Sequence, residues 1–374
     1  MARSHLTLEE FQKRFPTDAE CGDFLIGRRW PNGFSCPACG ALKHSKLVSR
    51  AHTFECLECG RQTSITAGTI LHRTKLPLTK WFWAAHLLAT HSNGMSALQL
   101  KTQIGVNYRT AWLLLHKLRL ALVDPGRELL QGFVEVDATE LTFREANPSD
   151  PDTDGTIYIM GAVEVIDRHS GLPPKLKPNG LYLDTRSGRA RLELVRREDK
   201  VSVHRFIRDN VAPGAILLTD GHASYLGLNL TTDPNRYIHD SRPHGIIAAH
   251  LVMPWIHRVF SLLKRYGMGT FHGFRRKHME TYLNEFVFRY NRRRHRGISF
   301  EKVLGLAVQH QQQGYWDLID RANPRLKKPK NRDHFRRRKT AIGMRQDSPE
   351  GARKRRERSK PVPESTSGEP GTDA

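Results

Sequence analysis

Long hydrophobic runs are missing from this sequence of 374 residues. No stretch of about 18 apolar residues occurs, so the sequence predicts no membrane span. The first residues, MARSHLTLEEF, contain no apolar core of a signal peptide. We therefore expect a protein of the reducing cytoplasm, where paired cysteines indicate metal binding rather than disulfides.

Acidic residues are scarce as well: 38 Asp and Glu stand against 60 Lys and Arg, which gives a net charge of +22. This excess favours a polyanionic partner, most often nucleic acid, although a merely basic or ribosome-associated protein is the alternative. Residues 325–360 contain 16 Lys or Arg and only 4 Asp or Glu. We expect a disordered basic tail that binds phosphate nonspecifically, or else a solubilising extension.

Cysteine is absent after residue 59, and four of the five cysteines form two C-x-x-C pairs separated by 16 residues, CPACG and CLECG. The pairs are Cys36 with Cys39 and Cys56 with Cys59. Two such pairs are typical of a tetrahedral zinc site that folds a small module, with no open catalytic position. The fifth, Cys21, is expected to be a small buried apolar residue.

The segment that follows predicts a helix-turn-helix. TKWFWAAHLLATH is apolar at helical spacing, and SALQLKTQIGVNYRTAWLLLHKLRLAL comes after it. We interpret Ser96 as an N-cap, Gly105-Val106 as the turn, and 107–122 as a recognition helix. Its first residues, which would contact DNA, are Asn107, Tyr108, Arg109 and Thr110. A plain helical hairpin is the alternative.

An α/β pattern begins after Pro125-Gly126. Strands are predicted at 132–141, 156–166, 189–196 and 215–221, helices at 201–211 and 254–265, and a further helix after the GMGTFHG turn. Polar loops are predicted at 146–155 and 168–180.

Two aspartates of this segment are candidate metal ligands. Asp137 lies in the strand GFVEVDATEL with Glu135 on the same face, and carboxylates that close favour a divalent cation. A solvated strand face is the alternative. Asp220 follows the apolar strand of ILLTDG, and ligands collect at such strand ends in open α/β sheets.

The helix WIHRVFSLLK sets His257 and Lys264 seven residues apart, on one side of an otherwise apolar helix. Together with Asp137 and Asp220, His257 could hold two divalent cations about 4 Å apart, the arrangement for in-line phosphoryl transfer. Lys264 could hold a DNA phosphate nearby. A core histidine with satisfied hydrogen bonds is the alternative for His257.

The sequence resembles the DDE-superfamily transposases of bacterial insertion sequences, in the ISXO2-like group with an N-terminal zinc ribbon. The resemblance lies in the order of its motifs: zinc ribbon, helix-turn-helix, VEVDAT, LTDGHASY, IHRVFSLLK, GTFHG and KHMETYLNEFVFRYNRR. The resemblance covers roughly residues 15–300. It implies an RNase H-like α/β core, a mixed sheet flanked by helices, and two-metal DNA strand cleavage and joining.

The resemblance also assigns residues. Asp137 and Asp220 become the first and second catalytic carboxylates, His257 takes the third position where many relatives have Glu or Asn, and Lys264 follows it. The cations would be Mg²⁺ or Mn²⁺, and a neutral imidazole suits Mn²⁺ better. Further residues predicted to contact DNA are Lys264, Arg265, His272, Arg289 and Arg292.

Four regions are predicted: a zinc ribbon at 1–70, a helix-turn-helix region at 71–124, an RNase H-like catalytic domain at 125–300 and the basic tail at 301–374. We expect a transposase bound to double-stranded DNA at terminal inverted repeats and target, associated with the nucleoid, as a homodimer or larger assembly. The alternatives are a catalytically inactive DNA-binding regulator and a nuclease that acts on nucleic-acid hybrids.

Overall fold

The computed structural model describes residues 6–141, 156–170, 174, 184–229, 236–242, 249–294 and 299–319, with the backbone alone at residues 249 and 250. Most of the two predicted polar loops, and the predicted tail from residue 320 onward, lie outside these residues. Within the described ranges, no helix combines the length and the apolar character that a bilayer crossing requires.

The cysteine-rich segment forms a small antiparallel sheet. Its strands are β1 (His44–Lys46), β2 (Thr53–Cys56) and β3 (Gln62–Ser64), in the order β1-β2-β3. Trp30, Phe34 and Phe54 pack together beneath them, with ring centroids 5.0–5.3 Å apart. So small an apolar core stabilises a module only weakly, which is why such modules depend on metal.

Six helices share a second core: α1 (Leu8–Arg14), α2 (Asp18–Arg29), α3 (Leu78–Thr90), α4 (Ala97–Ile104), α5 (Tyr108–Ala121) and α10 (Ser299–Gln309). The Phe300 ring lies 5.5 Å from both Phe11 and Phe15, so the chain returns late to its N-terminal helices. The predicted boundaries at 70 and 301 therefore differ from the structure: α1 and α2 pack with the helices rather than the ribbon, and residue 301 falls inside buried α10. Helix α11 (Tyr315–Leu318) follows α10.

The third part is a five-stranded mixed sheet in the order β6-β5-β4-β7-β8. The strands are β4 (Phe133–Leu141), β5 (Ile157–Asp167), β6 (Thr185–Val195), β7 (Ile216–Thr219) and β8 (Ile238–Ser241). Strand β5 is antiparallel to both neighbours, while β4, β7 and β8 are parallel. The short β8 carries only a weak sequence signal and was not predicted.

Helices cover both faces of this sheet. Helix α6 (Lys200–Asn210) packs on one face, and α8 (Pro254–Phe271) and α9 (Met279–Asn291) pack on the other; α7 (Ala249–Val252) precedes α8. The alternating valines of β4 are buried beneath these helices. A mixed sheet flanked by helices, preceded by a four-cysteine module, confirms the predicted RNase H-like α/β class.

Helix α8 is longer than the sequence predicts. It continues through Gly267 and Gly269 to Phe271 and is capped by His272, whose φ of 56° is left-handed. A Cβ at Gly267 would lie 2.5 Å from the Phe274 ring, so this glycine admits the chain that returns across the helix. Tertiary packing thus overrides the low helix propensity of the two glycines.

A buried ion pair joins the helical core to the sheet part. Arg119 Nε of α5 lies 2.7 Å from Glu285 Oε2 of α9, and both side chains are almost fully buried. Arg119 also donates to the Met95 carbonyl and lies over the Tyr282 ring. Loss of either charge would leave the other buried and unpaired, so this pair fixes α5 against α9.

Candidate active site

Strand register brings Asp137 and Asp220 together. Strand β4 pairs with β7 in parallel, with Glu135 opposite Leu218. Continuing that register by two residues places Asp220, just after the end of β7, opposite Asp137, in the middle of β4. Neighbouring strands lie about 4.8 Å apart. Two aspartates 83 positions apart in the chain are therefore neighbours at one edge of the sheet.

Asp137 lies in a poorly solvated environment. Its side chain is buried, and burial raises the pKa of this carboxyl to about 7; the N–H of Ala138 opposes the shift by donating to Oδ1, while the charges of Asp220 and Glu198 add to it. Negative charges crowded in this way are relieved by a proton or a cation. The donor set of carboxylate oxygens fits Mg²⁺ or Mn²⁺.

His257 lies beside Asp137. Its Nδ1 is 3.9 Å from Asp137 Oδ2, and its side chain is 30% exposed. The next residues inward, Ile256, Val259 and Phe260, are buried against the sheet, so α8 presents its apolar side to the sheet and His257 to the carboxylates. The imidazole is thus within reach of any ion that Asp137 would hold.

Glu135 has a different role from the one its spacing indicated. Instead of sharing a cation with Asp137, it is fully buried beneath α8, where Oε2 accepts hydrogen bonds from the N–H groups of Trp255 (2.9 Å) and Ile256 (2.7 Å). The first N–H groups of a helix lack partners within it, and a carboxylate there also suits the helix dipole. Glu135 therefore fixes the helix end that carries His257.

Sequence reasoning missed three residues near the aspartates: Glu198, His222 and Tyr225. Glu198 lies between β6 and α6, with Oε1 3.9 Å from His222 Nδ1. Burial raises its pKa, His222 opposes the shift, and the charge of Asp220 adds to it. No signal in the sequence pointed to Glu198, because the direction of β6, parallel to β4, follows only from the pairing of both strands with β5.

Tyr225 is the most buried of the three. Its side chain is inaccessible to solvent, and its hydroxyl makes no hydrogen bond of good geometry within the described residues, although Glu198 is close enough to interact with it. Burial raises its pKa well above the usual value, and the charges of Glu198, Asp137 and Asp220 contribute. The hydroxyl therefore faces these three carboxylates, which together with His257 are here called the carboxylate cluster.

The predicted DNA contacts on α8 are accessible. Lys264 and Arg265 lie on its exposed side, and His272 is exposed at its end. None of these three side chains makes a hydrogen bond or ion pair in the part of the chain described here, so they are available to an anionic ligand.

The predicted contacts on and just after α9 have partners inside the protein. Arg289 donates to the carbonyls of His91 and Ser92 and lies 3.4 Å from Glu285. The Arg292 guanidinium lies 4.0 Å from the Phe288 ring centroid. The structure does not bring these two arginines to the end of the sheet that carries Asp137, Glu198 and Asp220, here called the carboxylate edge. DNA contact by the two arginines stays a prediction.

The structure forms both helices and the glycine turn of the predicted helix-turn-helix, and DNA binding by these helices stays a prediction. Ser96 caps α4 in a reciprocal arrangement with Gln99, Gly105 takes a left-handed conformation between the helices, and Asn107 caps α5 by accepting from the Thr110 N–H. Tyr108 and Arg109 are exposed at the start of α5. A helix start displayed this way suits insertion into a DNA groove.

The four paired cysteines meet at one point. Their sulfurs all lie within 4.8 Å of one another, and three of the separations are 3.5–3.7 Å. A tetrahedral ion with Zn–S bonds of about 2.3 Å places its sulfurs about 3.8 Å apart. The N–H groups of Ala38 and Cys39 lower the pKa of Cys36 to about 6, which favours the thiolate that binds metal. Cys21 is buried away from this cluster in the helical core.

Comparison with known proteins agrees with this organisation. Residues 16–62 match the transposase zinc-ribbon domain and residues 129–291 match the ISXO2-like transposase domain. An uncharacterized protein in transposable element ISH50 of Halobacterium salinarum is 30% identical over 127 residues, or 33% of this chain and 42% of that protein, so less than half of the relative is covered. Two stretches of the chain are thus similar to a transposase zinc ribbon and to an ISXO2-like transposase domain, in the order that its motifs predicted.

Proposed function

We propose that this protein is a DDE-type transposase, which binds the ends of its element and catalyses metal-dependent DNA strand cleavage and transfer. The observation that carries the proposal is the meeting of Asp137, Asp220 and His257 at one edge of an RNase H-like sheet. The matching of both transposase domains supports it.

Each residue has a chemical role in this proposal. Asp137, Asp220 and His257 would hold two Mg²⁺ or Mn²⁺ ions, which activate a water or 3′ hydroxyl and stabilise the leaving oxygen when bound. Lys264, exposed two helical turns after His257, would bind a DNA phosphate as a point charge. Burial of Asp137 keeps the carboxylate poorly hydrated, so its attraction for a cation is strong.

The DNA-binding parts would lie outside the sheet. The exposed start of α5 would contact the terminal repeats, and the zinc ribbon would add contacts of its own. A net charge of +22 supports binding to double-stranded DNA, with a steep dependence on salt. Since transposition pairs two element ends, we expect a homodimer or larger assembly on DNA.

Strand transfer of a labelled terminal-repeat oligonucleotide, with Mn²⁺ or Mg²⁺, tests the proposal. Asp137→Asn keeps the side-chain shape and should lower the rate on the order of a thousandfold or more. Glu140→Gln removes an exposed carboxylate from the same strand and should leave the rate nearly unchanged. Equal rates for wild type and Asp137→Asn would refute the catalytic assignment, and DNA binding without cleavage by wild type would favour the inactive regulator.

A further inference from the structure

The predicted ligand set is short of negative charge. Asp137 and Asp220 supply two carboxylates, whereas His257 in its neutral form supplies none. Two divalent cations and a DNA phosphate are usually held by several oxygen ligands, and carboxylates dominate such sites. A further acidic side chain at the same edge of the sheet would therefore change what the site can bind.

We propose that Glu198 is a third carboxylate ligand of the divalent-cation site that Asp137 and Asp220 begin, and that it supplies the negative charge that His257 does not. This inference rests on the proposed function, because the same site is involved. It differs from the resemblance-based assignment, which draws its third ligand from α8.

Topology places Glu198 at the site. Strands β4, β6 and β7 all point the same way, since β5 is antiparallel to both β4 and β6. Glu198 follows β6 as Asp220 follows β7, and its charge interacts with those of both Asp137 and Asp220. His222 connects Glu198 to Asp220: the His222 N–H donates to Asp220 Oδ1 at 2.9 Å, and His222 Nδ1 lies 3.9 Å from Glu198 Oε1.

A second observation points to a ligand between these groups. The Tyr225 hydroxyl is sealed from solvent and lies close to the Glu198 carboxylate, in the field of Asp137 and Asp220, but it makes no hydrogen bond of good geometry within the described residues. Buried hydroxyls normally have a well-aligned partner. A cation that draws the Glu198 carboxylate into the site would align it as the acceptor of that hydroxyl.

A simpler role for Glu198 makes a different prediction. If Glu198 only pairs with His222, its loss and the loss of His222 should have the same consequences, and neither should alter cation binding. If Glu198 is a ligand, its loss alone should weaken the cation. Glu140, which is exposed and close enough for its charge to act on Glu198, provides a control for charge without ligation.

The test is a calorimetric titration of the zinc-loaded full chain with Mn²⁺ at pH 7.5, in the absence of DNA. We expect Glu198→Gln to weaken Mn²⁺ binding by more than about a hundredfold, because the loss of a residue that only supports a ligand already weakens binding about ten- to hundredfold. Glu140→Gln and His222→Gln should stay within about twofold of wild type, and Asp137→Asn should lose most of the binding. Manganese resonance spectra of the same samples report the fraction bound independently.

Thermal unfolding without Mn²⁺ checks the fold of each variant, and Glu198→Gln should be at least as stable as wild type because it relieves repulsion between carboxylates. Should that variant fail to fold, Glu198→Asp keeps the charge on a shorter side chain and should bind Mn²⁺ with intermediate affinity. Wild-type Mn²⁺ affinity in the folded Glu198 variant, with binding lost in Asp137→Asn, would overturn the role of Glu198 alone. Wild-type affinity in Asp137→Asn would instead overturn the cation site and the proposed function with it.

Discussion

The cysteine cluster takes all four side chains from residues 36–59, on two tight turns of one small sheet. The carboxylate cluster takes its side chains from two strands, a loop and a helix, spread over residues 137–257. In the first, the spacing of the ligands and the ion create the local structure. In the second, the proposed ligands meet only after the whole sheet and its helices have formed. The cysteine site should therefore need its zinc in order to fold, whereas the proposed carboxylate site should bind a cation only once the sheet and its helices have folded.

Zinc loss should give the largest effect. Cys39→Ser removes one of four ligands, and structural zinc contributes on the order of 10 kcal/mol to the folding of such modules. We expect elemental analysis to find one zinc per chain in wild type and almost none in the variant, with rapid proteolysis around residues 36–64. Mn²⁺ binding at the carboxylates should persist, because the sheet has its own core.

Cys21→Ala is the matched control, since Cys21 lies in the helical core. It should keep its zinc and the protease resistance of the ribbon. A Cys39→Ser protein that still bound one zinc per chain would contradict the four-thiolate site.

The same contrast explains how much the sequence could predict. Two C-x-x-C pairs define a zinc site by themselves, because few other arrangements bring four thiols together. Likewise the caps at Ser96 and Asn107 and the left-handed Gly105 lie within a few residues of one another, and these helix boundaries agree with the prediction to within a residue or so. The sequence pattern was sufficient to predict those features whose residues lie close together along the chain.

The carboxylate edge was predicted only in part. Asp137 lies in the middle of one recognisable strand and Asp220 follows another, but Glu198 follows a strand whose direction is known only once β5 and β6 are paired. Glu135 shares a face with Asp137, and alternation cannot tell a metal ligand from a helix cap 120 residues away. Helix α10 was missed as part of the helical core because its partners lie at the other end of the chain.

The stability of the helical core and that of the sheet should change in opposite directions with pH. Burial, with the charges of Arg119 and His278, lowers the pKa of His116 on α5 to about 2, and its Nδ1 bonds to the Thr281 hydroxyl. The folded protein keeps this imidazole neutral, so its contribution to stability is complete above about 6.5 and is lost as the pH falls below that value. Asp137 behaves oppositely without a cation: its raised pKa means that stability falls as the pH rises toward 7.

Urea unfolding between pH 7 and 5 measures the first of these effects. His116→Gln cannot take up a proton, so its free energy of unfolding should lose a pH dependence of up to about 1.4 kcal/mol per unit. His272→Gln changes an exposed histidine and should keep the wild-type slope. Equal slopes for wild type and His116→Gln would show that another group governs acid sensitivity.

Removing the helix cap tests whether the carboxylate edge depends on the fold around it. Glu135→Ala leaves the N–H groups of Trp255 and Ile256 without their acceptor and should lower the free energy of unfolding by about 1–3 kcal/mol. Glu135→Gln keeps an acceptor oxygen and should recover part of this loss. Because Glu135 acts through the position of His257, the turnover rate should fall in Glu135→Ala while Mn²⁺ affinity changes only a few-fold. A loss of Mn²⁺ affinity of more than about a hundredfold would instead make Glu135 a ligand.

The smallest change adds one methyl group between the sheet and α8. Gly161 pairs with Asp137 across β4 and β5, and a Cβ there would lie 2.7 Å from the Phe260 ring and 2.8 Å from Ile256 Cδ1. Helix α8 would have to move by a few tenths of an ångström, and His257 would move with it. We expect Gly161→Ala to lower the free energy of unfolding by about 1 kcal/mol and the strand-transfer rate several-fold, as overpacked cores do.

Gly269→Ala on the same helix is the opposite case. A Cβ at Gly269 would meet no atom within 4 Å, so the alanine should stabilise the helix slightly, by up to about 1 kcal/mol, and leave the rate unchanged. Opposite signs in the two alanine variants would show that the carboxylate edge is set by the contact of α8 with the sheet. If both variants were stabilised and fully active, there would be room for a methyl group between α8 and the sheet at Gly161. The distance between His257 and Asp137 would then be fixed by another contact, namely the hydrogen bonds of Glu135 to the start of α8.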